Sequence, residues 1–120
     1  MADYTDLIAR LEKATAPSRR LDAEIIAVIK GGAPEDYEAT SWALPRLTES
    51  LDAALTLVPE GWSFRLWRHP GEHGCHCDVY LLGEFKDGER PCLAAEDAEQ
   101  CPTPALALVI AALKARQAGG

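Results

Sequence analysis

The chain has 120 residues, with 12 basic and 19 acidic side chains, a formal net charge of −7 and a 48% hydrophobic share. That length and apolar content suit one globular domain spanning residues 1–120 and exclude a disordered chain. The acids concentrate in residues 31–60, six against one base, and in residues 84–100, six against two; this excludes the basic stripe that nucleic acids need, disfavours anionic membranes, and favours solubility or a cationic partner surface.

The first residues are charged and carry no apolar leader-like run, and the longest apolar stretch, Ala105–Leu113, falls well short of the roughly 18 residues of a membrane span. The expectation is a cytoplasmic protein whose four cysteines are reduced.

In chain order, Asp3 and Thr5 offer caps for a first helix whose apolar face is Leu7, Ile8 and Leu11. Pro17 interrupts it. Ser18 caps a second helix carrying Leu21, Ile25, Val28 and Ile29, which Gly31-Gly32 ends because glycine takes a left-handed cap cheaply. Residues 33–46 have no period and read as a loop with a turn of helix, from which Trp42 and Leu44 fold back onto the core. Thr48 is placed to cap a third helix with Leu51, Ala54, Leu55 and Val58 inward, stopped by Pro59-Glu60-Gly61.

Three strands follow: Phe64–Trp67, Cys77–Leu82 and a short Pro91–Ala94. The last two are joined through Lys86-Asp87-Gly88-Glu89, where Asp-Gly suits a turn with positive φ. Glu96, Asp97 and Glu99 lack the ligand spacing of a calcium loop and read as a solvated connector. Thr103-Pro104 opens a final helix reaching Arg116, with Leu106, Val109, Ile110 and Leu113 inward and Lys114 and Arg116 complementing its C-terminal dipole. The fold class is α+β: about three antiparallel strands packed between N-terminal helices and a C-terminal helix, an αβα sandwich. The adjacent Leu81-Leu82 pair predicts cover on both faces of the sheet.

Three blocks taken together, Leu7–Ala14 with Arg20–Ile25, Ser50–Trp62 and Thr103–Arg116, resemble the phage αβα-sandwich domain proteins, small accessory proteins of tailed phages and prophages. The resemblance spans most of the chain apart from residues 31–46 and 68–76. It implies a non-catalytic accessory protein in the bacterial host cytoplasm, acting by binding a host protein or a small signalling nucleotide, with inhibition of host defence as the concrete form. No cofactor and no catalytic residue carry over. A second reading is a phage assembly protein that forms a homo-oligomer through its apolar helices.

The densest chemistry is His69–Cys77, with three imidazoles and two thiols. His73, Cys75, His76 and Cys77 are the candidate metal ligands of a third reading, a small zinc protein. Cys75-x-Cys77 is tighter than the usual structural zinc pair, and a variable hairpin tip is the simpler account. Cys75 beside His76 does not make a nucleophile–base pair, because neighbouring strand residues point to opposite faces. Gly31-Gly32 follows a helix and is a cap rather than a phosphate loop. Trp62 is assigned to the core. Should the Trp67 face of the sheet be open, Arg65, Trp67, Arg68 and Tyr80 would form a stacking and phosphate-pairing patch for a nucleotide.

Overall fold

The computed structural model describes residues 4–40, 42–69, 71 and 74–119. Among the described residues, five helices and three strands follow in the order α1 (Thr5–Glu12), α2 (Arg19–Lys30), α3 (Pro34–Glu38), α4 (Leu51–Leu55), β1 (Ser63–Trp67), β2 (Cys75–Leu82), β3 (Cys92–Cys101) and α5 (Pro104–Gln117). The class is α+β, with one antiparallel sheet in the order β1-β2-β3 packed against helices that include α5.

Helix α5 organises the molecule. Thr103 Oγ1 accepts the Leu106 amide at 3.1 Å and Pro104 fills the first turn, as the sequence predicts. Ten of its 14 residues are buried, on every side of the helix, because it lies between two layers: one side meets β2 and β3, the other meets α1 and α4. A helix apolar all round is one surrounded by protein. Among the described residues, no helix is long and apolar enough to cross a membrane.

The N-terminal layer departs from the sequence reading at its caps. Asp3 lies outside the described residues, and Thr5 falls inside α1. The first turn is instead tied to the far end of the chain: the Tyr4 amide donates to Gln117 Oε1 at 2.8 Å, and Gln117 Nε2 donates to Thr5 Oγ1 at 3.0 Å. Ser18 caps α2 as expected, and Gly31 ends it at the expected position with a positive φ of 87°, though its ψ of 167° is extended rather than left-handed helical. Thr48 does not cap α4; Ser50 does, accepting the Ala53 amide at 3.3 Å. Thr48 is fully buried, and its amide and hydroxyl each donate to Asp22 Oδ1 at 2.8 Å. Arg19 completes this network by pairing with Asp22 Oδ2 at 2.9 Å and donating to the Leu44 carbonyl at 2.7 Å. The buried carboxylate thus pins the 39–50 loop to α2, with its charge matched by hydrogen bonds. Leu44 joins the core, whereas Trp42 stands 88% exposed: the cluster around Asp22 anchors the loop at Leu44, Pro45 and Thr48 and leaves Trp42 outside.

In the sheet, β3 runs ten residues, far beyond the expected Pro91–Ala94. Glu96, Asp97 and Glu99 are therefore edge-strand residues rather than a connector. The segment has no β-branched residue; pairing with β2 overrides its weak strand propensity. The hairpin turn is as predicted, with Asp87 at φ 54°, Gly88 at φ 80° and a Lys86–Glu89 bridge.

Candidate functional site

Strand alternation divides the sheet into two unlike faces. Cys77, Val79 and Ala98 are buried on the side that meets α5. Trp62 and Leu66 are partly buried against the same core, as expected for Trp62. The other side carries Arg65, Trp67, His76, Asp78 and Tyr80, placed together by the register Ser63–Tyr80, Arg65–Asp78 and Trp67–His76. The expected cover on both faces does not hold here. The N-terminal helices meet α5 rather than this side of the sheet, and a shallow cavity of about 310 Å³ opens on it, lined by Arg65, Asp78, Tyr80, Leu82, Cys92 and Ala95.

The side chains on this face engage one another. The Arg65 guanidinium donates to Asp78 Oδ2 at 2.6 Å, and its carbon sits 4.6 Å from the Trp67 ring centroid. The Trp67 ring stacks on His76 at 5.4 Å and an interplanar angle of 14°, and His69 meets His76 edge-on at 5.7 Å. Trp67 thus has an arginine and an imidazole as ring neighbours. Arg65 stays two-thirds exposed while paired with a carboxylate. Asp97, directly opposite Asp78, adds a second carboxylate.

Three of the four residues assigned to a binding patch, Arg65, Trp67 and Tyr80, come together on this face. Arg68 lies apart from Arg65 and Tyr80: with Leu66, Trp67, Cys75, Pro102 and Pro104 it lines a separate cavity of about 390 Å³ at the start of α5. Asp78, His69 and His76 were missed as members of the patch. Asp78 becomes visible only from the β1–β2 register, which a sequence with a loop of unknown geometry between the strands does not supply.

The four candidate metal ligands are divided. His76 belongs to the open face, whereas Cys75 and Cys77, two residues apart on β2, belong to the α5 side; His73 lies outside the described residues. Among the described residues, no group of three or more His, Cys, Asp or Glu side chains is placed to hold a metal ion. One thiol of that cluster, Cys77, is also poorly suited to nucleophilic work. Burial pushes Cys77 up to about 12, helped by the negative charge of Asp78, and pushes Cys101 up to about 11.

Comparison with known proteins finds no matching family model, no matching curated protein and no matching solved structure.

Proposed function

We propose that this is a non-catalytic binding protein whose open sheet face, centred on Arg65, Trp67 and Tyr80, docks a protein partner with a cationic rim. The observation that carries the reading is an arginine–aromatic cluster on a sheet face without helix cover, bordered by Asp78 and the acidic edge strand. Tryptophan, tyrosine and arginine are the residues in which protein-binding energy concentrates, and an acidic border selects a basic partner and speeds encounter.

The nucleotide alternative is weaker on the same geometry. A stacking base needs an open π face, and the Trp67 ring already has Arg65 and His76 beside it. A phosphate needs an unpaired cation, and Arg65 is paired with Asp78, which itself faces Asp97 across the next ladder. Oligomerisation through apolar helices also loses ground, since the apolar surface of α5 is consumed inside the chain. The resemblance to phage αβα-sandwich proteins adds a context to the proposal: a phage-encoded accessory protein that occupies a host protein in the bacterial cytoplasm. That context rests on the resemblance alone.

The test is affinity capture from a bacterial lysate with the wild type, Arg65→Ala, Tyr80→Ala and Trp42→Ala, all checked for equal melting temperature. A partner held by the wild type and Trp42→Ala but lost by the two sheet variants supports the reading. A partner retained by all four sinks it. Calorimetric heat from a cyclic nucleotide, abolished in Arg65→Ala, would replace it with nucleotide sequestration.

A further inference from the structure

We propose that Cys75 and Cys101 form a thiol redox pair, in which Cys75 is the residue that a peroxide reaches and Cys101 closes the resulting sulfenic acid to a cross-strand disulfide. The inference is independent of the binding reading and rests on register, exposure and a cavity.

Cys75 and Cys101 are direct partners across the antiparallel β2–β3 ladder, and both are free thiols. Directly opposed residues in such a ladder have Cα atoms about 4.5–5.5 Å apart, inside the roughly 4.4–6.8 Å window that a disulfide requires. The pairing is built by a bulge. Between Cys75–Cys101 and Cys77–Ala98 the register shifts by one residue, with Gln100 in the left-handed region at φ 51°. Gly74 permits the close approach of the two strands, since a Cβ there would fall 2.4 Å from the Gln100 Cα. Without the bulge Cys101 would move out of register with Cys75.

The two thiols differ in access. Cys75 is half-buried and lines the cavity at the start of α5, beside Arg68, Pro102 and Pro104. Cys101 is 5% exposed and held as a thiol by burial, with Cys75 as a contributing neighbour. The outer thiol therefore meets the oxidant first and the inner one resolves it. Cys77 is fully buried and offset along the strand, and Cys92 lies at the opposite end of the ladder, across from Leu82.

The chemistry balances with hydrogen peroxide as the oxidant. The Cys75 thiolate attacks one peroxide oxygen, the O–O bond breaks, and the leaving hydroxide takes up a proton to become water. The Cys101 sulfur then attacks the sulfenic sulfur, the S–O bond breaks, and a second water leaves with the Cys101 proton. Two electrons pass from the two sulfurs to the peroxide.

The experiment treats the folded full-length chain with hydrogen peroxide, counts thiols after denaturation, and maps cross-linked peptides by mass spectrometry. The expected result is loss of two thiols, a mass lower by two hydrogen atoms, and a single peptide pair joining Cys75 to Cys101. In Cys101→Ser, a dimedone adduct should accumulate on Cys75; in Cys75→Ser, Cys101 should stay a free thiol and no intramolecular disulfide should form, with any oxidation confined to the exposed Cys92. Circular dichroism melts establish that each variant is folded, and Cys92→Ser, remote from the ladder end, serves as the folded control that still forms the bond. Loss of two thiols in Cys75→Ser, a disulfide involving Cys77 or Cys92, or a full thiol count in the treated wild type would each overturn the proposal.

Discussion

The two faces of one sheet are built from alternating residues of the same strands, yet they have opposite physical characters. The α5 side is a dry layer of Cys77, Val79 and Ala98 under a helix whose side chains between Ala105 and Leu113 are all buried. The open side is a polar and aromatic layer without helix cover, in which Arg65 pairs with Asp78 and sits on Trp67, and Trp67 stacks on a His76 that is itself only 7% exposed. The difference teaches where stability and recognition reside. Burial beneath α5 holds the fold together, and the open side is free to be used because little of the fold depends on it.

The sharpest way to break this comparison is at the helix. Val109→Asp would place an uncompensated carboxylate at a fully buried position and should cost about 5 kcal/mol or more, comparable to the whole stability of a small domain. A soluble variant melting cooperatively near the wild-type temperature would contradict the assignment of the core. Val79→Ala, on the sheet beneath α5, should cost about 2 kcal/mol through lost burial and the cavity left behind, measured by urea denaturation. Equal costs for Val79→Ala and for Tyr80→Ala on the opposite face would erase the distinction between the two sides.

Alkali should act on the covered face as well. Cys77 and Cys101 are raised from 9.0 to about 12 and about 11 by burial. Both thiols are protonated in folded and unfolded chains below about pH 8.5. Above that the unfolded chain loses its protons first, so stability falls as pH rises from about 9 towards 11, by up to about 1.4 kcal/mol per pH unit for each thiol. Cys77→Ala should flatten the fall, read from denaturation midpoints at successive pH values. The smallest effect belongs to the open face: Asp78→Asn removes a partly exposed ion pair and should change stability by about 0.5 kcal/mol. A loss of several kcal/mol there would mean that the Arg65–Asp78 pair is structural.

Most elements were legible because their signals are local. Ser18, Thr103-Pro104, Gly31 and Asp87-Gly88 each act on their own turn, and each does in the structure what its chemistry predicts. The misreadings share a cause. Thr48 is a good cap by type but is drawn into the core by Asp22, 26 residues away in sequence. Trp42 is apolar and by type belongs inside, but the loop anchored by Arg19 and Asp22 carries it out. Residues 95–101 have the composition of a helix or connector and become strand because β2 offers an edge to pair with. Of the candidate patch, the residue types were legible, but the loss of Arg68 and the gain of Asp78 were not, since both follow from strand alternation and register.

By itself the sequence determined the α+β class, the Ser18 and Thr103 caps, the end of α2 at Gly31, the hairpin turn and the apolar identity of the last helix, all of which arise from interactions within a few residues. Only the tertiary structure decided that α5 is the middle layer, that one face of the sheet stays open with Arg65 bound to Asp78, and that Cys75 stands opposite Cys101. These depend on which distant segments meet, and register between strands is set by packing and by a bulge at Gln100 rather than by any residue's own preference.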